Sequence, residues 1–147
     1  MTRRQESQLD MKLEVIVLPV TDVDRAKEFY ERAGFRLDVD HQAGESFRVV
    51  QFTPPGSECS ITFGVGVSEP GAAPIQGLHL VVTDIEPVRE DLVERGVDVS
   101  DIFHFSEGGQ IPGLDPERRD YGSYAQFRDP DGNGWLLQEV HHRAPDR

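Results

Sequence analysis

The sequence predicts one α+β domain built from two copies of a βαβββ module, because a segment near its start recurs farther along the chain. Residues 18–38 read LPVTDVDRAKEFYERAGFRLD, and residues 80–100 read LVVTDIEPVREDLVERGVDVS. Each segment also stands within the same order of strand and helix patterns, so a duplication accounts for most of the chain. The residues that recur at matching positions are Leu18, Val20, Thr21, Asp22, Glu28 and Gly34, repeated as Leu80, Val82, Thr83, Asp84, Glu90 and Gly96.

Each copy begins with a strand followed by one amphipathic helix. The β-rich runs Leu13–Val20 and Leu78–Val82 both end in Thr-Asp, whose side-chain oxygens can accept hydrogen bonds from the first free amides of a helix. Gly34 and Gly96 stand where a left-handed residue would end each helix. Apolar residues recur at helical spacing between these limits: Val23, Ala26, Tyr30 and Ala33 in the first copy, and Ile85, Val88 and Leu92 in the second.

Three further strands are predicted in each copy. The last two of each copy are joined by turns rich in Pro, Gly and Asp, at Pro54–Ser57 and at Asp129–Asn133. The predicted strands are Phe35–His41, Phe47–Thr53 and Cys59–Gly64 in the first copy, and Val97–Phe105, Ser123–Arg128 and Gly134–His141 in the second.

The second copy is longer, because matching Gln51-Phe52 with Gln126-Phe127 requires about 13 extra residues within it. The insert covers residues 105–121 and is rich in Gly, Pro and charge, which is typical of either a functional lid or a disordered loop. Its apolar side chains favour a lid. The predicted organisation is a flexible tail 1–11, a first module 12–66, a linker 67–75, a second module 76–142 and a tail 143–147.

Charge and composition exclude several classes of protein. Asp and Glu number 27 against 15 Lys and Arg, for a net charge of −12, which argues against nucleic-acid binding. No apolar run approaches the roughly 20 residues of a membrane span, and the polar start of the chain has no secretory signal. The single Cys59 permits no internal disulfide, which fits a reducing compartment, so a cytoplasmic location is expected. Its apolar surroundings predict a buried, inert thiol.

Two motifs, LPVTDVDRAKEFYERAGF at residues 18–35 and DPDGNGWLLQE at residues 129–139, resemble the vicinal oxygen chelate superfamily of glyoxalases, bleomycin-resistance proteins and extradiol dioxygenases. The resemblance extends from about Lys12 to Val140. It implies facing half-barrel sheets around a central cavity, in which the family's enzymes hold a divalent metal with His and Glu side chains of the first and last strands. It also implies a homodimer, in which modules of different chains sometimes share a site.

Several of the positions at which the resemblance implies metal ligands hold residues that cannot bind a metal. The first-strand ligand would fall at Val15 and Gly77, neither of which can bind a metal. His79 is two residues beyond Gly77 and should lie on the same strand face. It could be a displaced metal ligand, a substrate contact or a structural histidine. Glu139 is the only carboxylate in the last strand, and His104 would have to swing in to act as a third ligand. Two ligands are fewer than zinc or iron sites require, so no cofactor is expected, with a divalent metal as the alternative.

Other side chains are candidates for contacting a ligand. Phe47 and Gln51 alternate along one strand, as do Tyr124 and Gln126 along another. Gln51 and Gln126 are equivalent in the repeat and would offer paired amides if both face inward; the opposite orientation leaves them on the outward faces of their strands. Trp135 would either stack on an aromatic ligand or fill the core.

Two functions are consistent with these residues. The first is a glyoxalase- or bleomycin-resistance-like protein that binds a small, partly aromatic organic molecule in a cavity between modules, without the usual metal. The second is a metal-dependent lyase, isomerase or dioxygenase that uses His79 and Glu139. The vacant ligand positions Val15 and Gly77 favour binding, with a small molecule and a second copy of the chain as the expected partners.

Overall fold

A computed structural model describes residues 9–143 and contains two mixed sheets and two helices. In each sheet the first strand of the module pairs in parallel with its last strand, and the remaining pairs are antiparallel. The strand orders are β1-β4-β3-β2 and β5-β9-β8-β6-β7, which confirms the α+β fold of two βαβββ modules. The elements are β1 (Val15–Val17), α1 (Val23–Arg32), β2 (Arg36–Gln42), β3 (Arg48–Thr53), β4 (Ser60–Val65), β5 (Leu78–Val82), α2 (Ile85–Glu94), β6 (Phe103–Ser106), β7 (Gly109–Pro112), β8 (Ser123–Arg128) and β9 (Gly134–Glu139).

The two helices end alike but begin differently. Gly34 and Gly96 both adopt φ +89°, the left-handed conformation predicted for these positions. Asp22 accepts a hydrogen bond from the Arg25 amide at 3.1 Å and caps α1 as predicted. The prediction for Asp84 is wrong, because its side chain makes no capping bond to α2.

The second sheet differs from prediction at β6. A strand was expected over Val97–Phe105, but β6 covers only Phe103–Ser106. In the preceding residues, Val97 and Val99 turn into the core. The Ser100 amide donates to the Gln126 carbonyl at 2.8 Å, and the Ser100 hydroxyl accepts from the Gln126 amide at 3.0 Å. Within the insert, β7 pairs with β6 and forms a fifth strand that the sequence did not predict.

Among residues 9–143, no helix has both the length and the apolar character needed to cross a membrane.

The helices lie between the two sheets and share one core with both. The Tyr30 ring of α1 lies 6.0 Å from Phe52 and 5.8 Å from Phe63 in the first sheet, and 6.0 Å from Trp135 in the second (ring centroids). Each sheet therefore turns one face towards the helices. The other face points outward, where Val17 of the first sheet is 38% exposed and His79 of the second is also exposed.

A polar network in this core joins the modules. The Tyr30 hydroxyl donates to Asp129 at 2.8 Å and accepts from the Trp135 indole at 3.0 Å. Burial raises the pKa of Tyr30, so its hydroxyl stays a neutral donor. Asn133 donates to the Pro19 carbonyl at 3.0 Å, which fastens the β8–β9 turn to the chain just before α1. These buried bonds fix how the two modules sit against each other.

The second half of the insert is fastened to the body of the molecule. Within this half, the buried Asp115 carboxylate accepts hydrogen bonds from the Arg119 guanidinium at 2.9 and 3.0 Å, and the Asp115 amide donates to the Ser123 hydroxyl of β8 at 2.9 Å. These bonds hold the pKa of Asp115 well below its usual range. Asp120 accepts from the backbone amides of His141 at 2.6 Å and His142 at 3.2 Å. A lid role for residues 105–121 stays a prediction, and any movement would centre on the β6–β7 hairpin rather than on this anchored half.

Candidate functional site

The outward face of the second sheet gathers most of the chemistry-bearing side chains. Strand register places His79 beside Leu136 and Val81 beside Gln138, and it places Tyr124 opposite Gln138. Because alternate residues of a strand share a face, these side chains all point away from the helices. We call this surface the second-sheet face; its members are His79, Val81, Phe103, Phe105, Tyr124, Gln126, Leu136 and Gln138.

A hydrogen bond links the two most polar groups of this face. Nδ1 of His79 lies 3.1 Å from Oε1 of Gln138. The Gln138 side chain is mostly covered, since the residue is 9% exposed, whereas His79 is open to solvent. The imidazole is therefore held in one orientation by the strand next to it.

Three aromatic rings lie on the same face, and one of them, Tyr124, stands directly opposite Gln138. Phe103 stacks on Tyr124 with 5.6 Å between ring centroids and 23° between planes. Phe105 meets Tyr124 at 5.4 Å and 67°, and the Phe105 residue is 55% exposed. The Tyr124 hydroxyl donates to the Tyr121 carbonyl at 2.6 Å, which holds the ring in place. We call these rings the aromatic corner, a surface on which a flat molecule can stack against one ring and meet the edge of another.

A groove of about 520 Å³ continues the same face towards the start of β9. Its floor includes Gly77, Gly134 and Leu136, and its sides include Gln126 and Arg128. Gly77 adopts φ +80°, a conformation that favours glycine, whereas a side chain at position 134 would meet the movable side-chain oxygen of Gln76. The volume is in the range of small-molecule sites.

The outward face of the first sheet carries a different set of side chains, several of them valines. Register aligns Val17, Thr62, Gln51 and Val39 in one row across β1, β4, β3 and β2. Gln51 and Gln126 therefore lie on outward faces of different sheets, and the expected amide pair does not form within one chain. Phe47, just before β3, is 38% exposed. We call this surface the first-sheet face; its members are Val15, Val17, Val39, His41, Val49, Gln51 and Thr62.

The expected pairing of His79 with Glu139 is not found. Glu139 pairs with Val82 and points into the molecule, whereas His79 points outward, so the two lie on opposite faces of one sheet. Gln138 occupies the outward position of β9 instead. His104 is also engaged, with its Nδ1 2.8 Å from the Gly113 carbonyl.

The donor set does not fit the metal ion that the resemblance implies. Val15 and Gly77 stand at the first-strand positions, and the carboxylate of the last strand is turned away. Within the described range, residues 9–143, no three His, Cys, Asp or Glu side chains come together as a metal site. Gln138 and His79 alone give one amide oxygen and one imidazole, fewer ligands than such sites use.

Glu139 has a structural role instead. Its fully buried carboxylate accepts bonds from the Arg118 guanidinium at 2.8 and 2.6 Å and from the Ile85 amide at 3.0 Å. It thus replaces Asp84 as the acceptor at the start of α2, and the Arg118 bonds lower the pKa of the Glu139 carboxyl. Arg118 adopts φ +50°, a left-handed conformation that is uncommon for a residue with a side chain.

Two other residues lie outside the second-sheet face. Trp135 is 4% exposed and belongs to the core, so it does not face a ligand there. Cys59 is partly exposed rather than buried, and its partial burial raises the pKa of its thiol.

A separate apolar groove of about 430 Å³ lies between α2 and the first module and is lined in part by Phe35, Pro54 and Val88.

Sequence reasoning missed Gln138, Phe103 and Phe105. The signal for Gln138 was present, since Trp135 and Leu137 are apolar and share the other side of β9 with Glu139. An apolar side turns to the core, which places Gln138 outward. Phe103 and Phe105 are two residues apart and share a strand face, but the sequence before them did not indicate where β6 begins.

Comparisons with known proteins agree with this architecture. Residues 12–137 match the family model of the Glyoxalase/Bleomycin resistance protein/Dioxygenase superfamily. The chain is similar to the crystal structure of TnmS3, an antibiotic binding protein from Streptomyces sp. CB03234, with 31% identity, a TM-score of 0.66, and coverage of 90% of this chain and 98% of that one.

Two further relatives share the fold. A member of the glyoxalase/bleomycin resistance protein/dioxygenase superfamily from Sphaerobacter thermophilus DSM 20745 has 27% identity and a TM-score of 0.65, covering 89% of this chain and 98% of that one. The uncharacterized protein YetH of Bacillus subtilis (strain 168) is 26% identical over 84% of this chain and 94% of its own length. The family match spans most of the sequence and agrees with the two-module fold, and the chain belongs to the glyoxalase/bleomycin resistance protein/dioxygenase superfamily.

Proposed function

We propose that this protein binds a small, flat, partly aromatic organic molecule on the second-sheet face and that it does so without a metal ion. The observation that carries the proposal is the aromatic corner, where the exposed Phe105 ring meets Tyr124 at 67° on the same sheet face as the His79–Gln138 pair. Aromatic rings supply much of the contact energy in small-molecule sites, and a few polar groups fix the orientation of the ligand. Both ingredients lie on one surface here.

The relatives support the same class of ligand. TnmS3, which is 31% identical to this chain, is described as an antibiotic binding protein. Antibiotics of that kind are small organic molecules, so a binding role within this fold has a precedent among proteins of similar sequence. The proposal extends only the class of ligand to this chain.

A second copy of the chain is part of the proposal. The second-sheet face is open on its outward side, so a ligand there would keep one surface in water. The first-sheet face offers a cover, because Val15, Val17 and Val39 are each more than a third exposed, at 37%, 38% and 39%. Burying these apolar groups against a ligand and a partner face is favourable. The expected assembly is a homodimer in which the first sheet of one copy covers the second sheet of the other.

The metal-dependent alternative requires ligands that these positions do not provide. A lyase, isomerase or dioxygenase of this superfamily would hold its ion with side chains where this chain has Val15 and Gly77. Glu139, the remaining carboxylate, is bonded to Arg118 in the interior. We therefore propose no catalytic step for this protein.

Titration with a panel of flat aromatic compounds, such as 1-naphthol, quinoline and flavone, tests the proposal. The expected result is saturable binding that is unchanged by EDTA or Zn²⁺ and weakened about tenfold by Phe105→Ala, since losing one stacking partner costs about 1–2 kcal/mol. Val93→Ala, which trims an exposed apolar side chain of α2, is the matched control and should leave the affinity unchanged. Absence of binding across the panel, or equal loss in both variants, would contradict the proposal.

A further inference from the structure

We infer that the molecule bound on the second-sheet face is a zwitterion, an aromatic amino acid whose carboxylate lies against Arg128 and whose ammonium group lies against Asp98. Both side chains line the groove at the start of β9. The inference rests on the proposed function, since it names the head group of the flat molecule that the same face would take.

Arg128 is an arginine without an acidic partner. Its chain neighbours Phe127 and Asp129 are 3% and 4% exposed, so the Arg128 side chain points outward from β8 into the groove. Among residues 9–143, seven arginines form ion pairs with Asp or Glu, whereas Arg128 forms none. Because the chain has 27 acidic side chains, most guanidinium groups find a carboxylate within the protein, and the Arg128 guanidinium remains available for the carboxylate of a ligand.

Asp98 lies beside Arg128 on the neighbouring segment. The paired bonds between Ser100 and Gln126, at 2.8 and 3.0 Å, show that the chain before β6 runs alongside β8. This segment continues the antiparallel direction of β6, so two residues farther along it Asp98 comes opposite Arg128. Both chain neighbours of Asp98 are buried, which turns its carboxylate outward to the same face.

The two opposite charges are not joined to each other. No ion pair links Asp98 with Arg128 within the described residues, and an exposed pair of this kind would contribute little to stability because water screens both charges. A ligand that meets both side chains gains two charge-assisted contacts at once. An anion would bring its charge close to Asp98, and a cation would bring its charge close to Arg128, so only a zwitterion is complementary to both.

The floor of the groove leaves room for the head group and directs the body of the ligand. Gly134 pairs with Arg128 and places no side chain beside it. Leu136 and Gln126 come next along β9 and β8, about 7 Å from that pair, and Tyr124 of the aromatic corner follows at about 13 Å. An aromatic body that extends along these two strands therefore crosses Leu136 towards the aromatic corner.

The test compares three probes with the same indole ring by isothermal titration calorimetry. They are L-tryptophan, indole-3-propionate, which lacks the ammonium group, and tryptamine, which lacks the carboxylate. We expect L-tryptophan to bind about tenfold more tightly than either of the others, because each of these leaves one charged side chain of the groove without its partner.

Two substitutions assign the charges to their residues. Arg128→Gln should remove the preference for L-tryptophan over tryptamine and keep the preference over indole-3-propionate, whereas Asp98→Asn should do the reverse. Arg32→Gln and Glu94→Gln, which remove exposed charges at the ends of α1 and α2, are the matched controls and should keep both preferences. Thermal melting establishes that each variant is folded.

The outcomes separate this inference from the proposed function. Equal affinity for the three probes, a preference over only one of the two partial probes, or preferences that survive in both Arg128→Gln and Asp98→Asn would overturn the inference while aromatic binding on the face stands. If none of the three probes binds but 1-naphthol, quinoline or flavone does, the inference is wrong and the proposed function is kept. If no aromatic compound binds, the proposed function fails and the inference fails with it.

Discussion

The two outward sheet faces derive from one repeated module but carry different side chains. Strand register makes Val17, Thr62 and Gln51 of the first sheet equivalent to His79, Leu136 and Gln126 of the second. By the same alignment, Val49 corresponds to Tyr124 and Gly64 to Gln138. The second sheet thus has an imidazole, a phenol and an amide where the first has Val, Val and Gly.

This difference implies different roles for the two modules. At Gly64, an added side chain would overlap the carbonyl of Arg48, so the first sheet cannot carry a group equivalent to Gln138 without moving its backbone. Val15, Val17 and Val39 give this face exposed apolar groups beside the polar Gln51 and His41, and these apolar groups suit a cover. One module therefore supplies recognition, and the other supplies a surface that can close over it.

The copies also differ in how they hold the start of their helices. Asp22 caps α1 from an exposed position, whereas α2 is capped by the buried Glu139, which is bonded to Arg118 of the insert. Arg118→Met is expected to destabilise the protein by about 3 kcal/mol, because it leaves a buried carboxylate without its charged partner. Asp22→Ala, the counterpart in the first module, should cost about 1 kcal/mol. Urea unfolding of both variants measures the difference.

The pH dependence of the same variants is the control. The pKa of Glu139 is lowered in the folded state, so its stabilising effect is present above the unfolded value of about 4.3 and is lost as the pH falls through the folded value. The Arg118→Met variant should therefore lose less stability than the wild type on acidification below pH 4.5. Equal costs for Arg118→Met and Asp22→Ala, or identical acid sensitivity, would show that the second module is not fastened in this way.

A substitution on the first-sheet face should change the free energy of dimerisation, by less than Arg118→Met changes the free energy of unfolding. Val17→Asp places a carboxylate on that face and should weaken dimerisation by about 2 kcal/mol, or roughly thirtyfold, because the charge would be buried without a partner. Val93→Asp, on the exposed side of α2, should leave the dimer intact. Sedimentation velocity distinguishes these outcomes. A wild-type chain that stays monomeric at tens of micromolar, or equal effects of both substitutions, would contradict the proposed assembly.

Much of the fold follows from local patterns in the sequence. Both modules are defined by the repeat, by Thr-Asp at the start of each helix and by a glycine at the end of each helix. These glycines, Gly34 and Gly96, adopt the expected left-handed conformation. The turn at Asp129–Asn133 was also predicted, but its buried bond to Tyr30 was not. That bond joins residues 99 positions apart, and no local pattern reports such contacts.

The site was less predictable, because strand periodicity gives two alternating sets of residues without stating which set faces the helices. Glu139 was expected beside His79, yet it shares its side of β9 with the buried Trp135 and Leu137. Its partner Arg118 lies in an irregular loop whose path depends on the tertiary structure, so the ion pair that explains Glu139 left no sequence signal. The bond of His79 to Gln138 joins side chains of two different strands, so neither strand alone could predict it.

The most direct measurement of the central claim is an NMR titration of ¹⁵N-labelled protein with 1-naphthol and with flavone. If the second-sheet face binds the ligand, the amide resonances of His79, Tyr124 and Gln138 should shift most, together with those of the first-sheet face across the dimer. Shifts confined to Phe35, Val88 and their neighbours would place the ligand in the apolar groove beside α2 and would contradict the account.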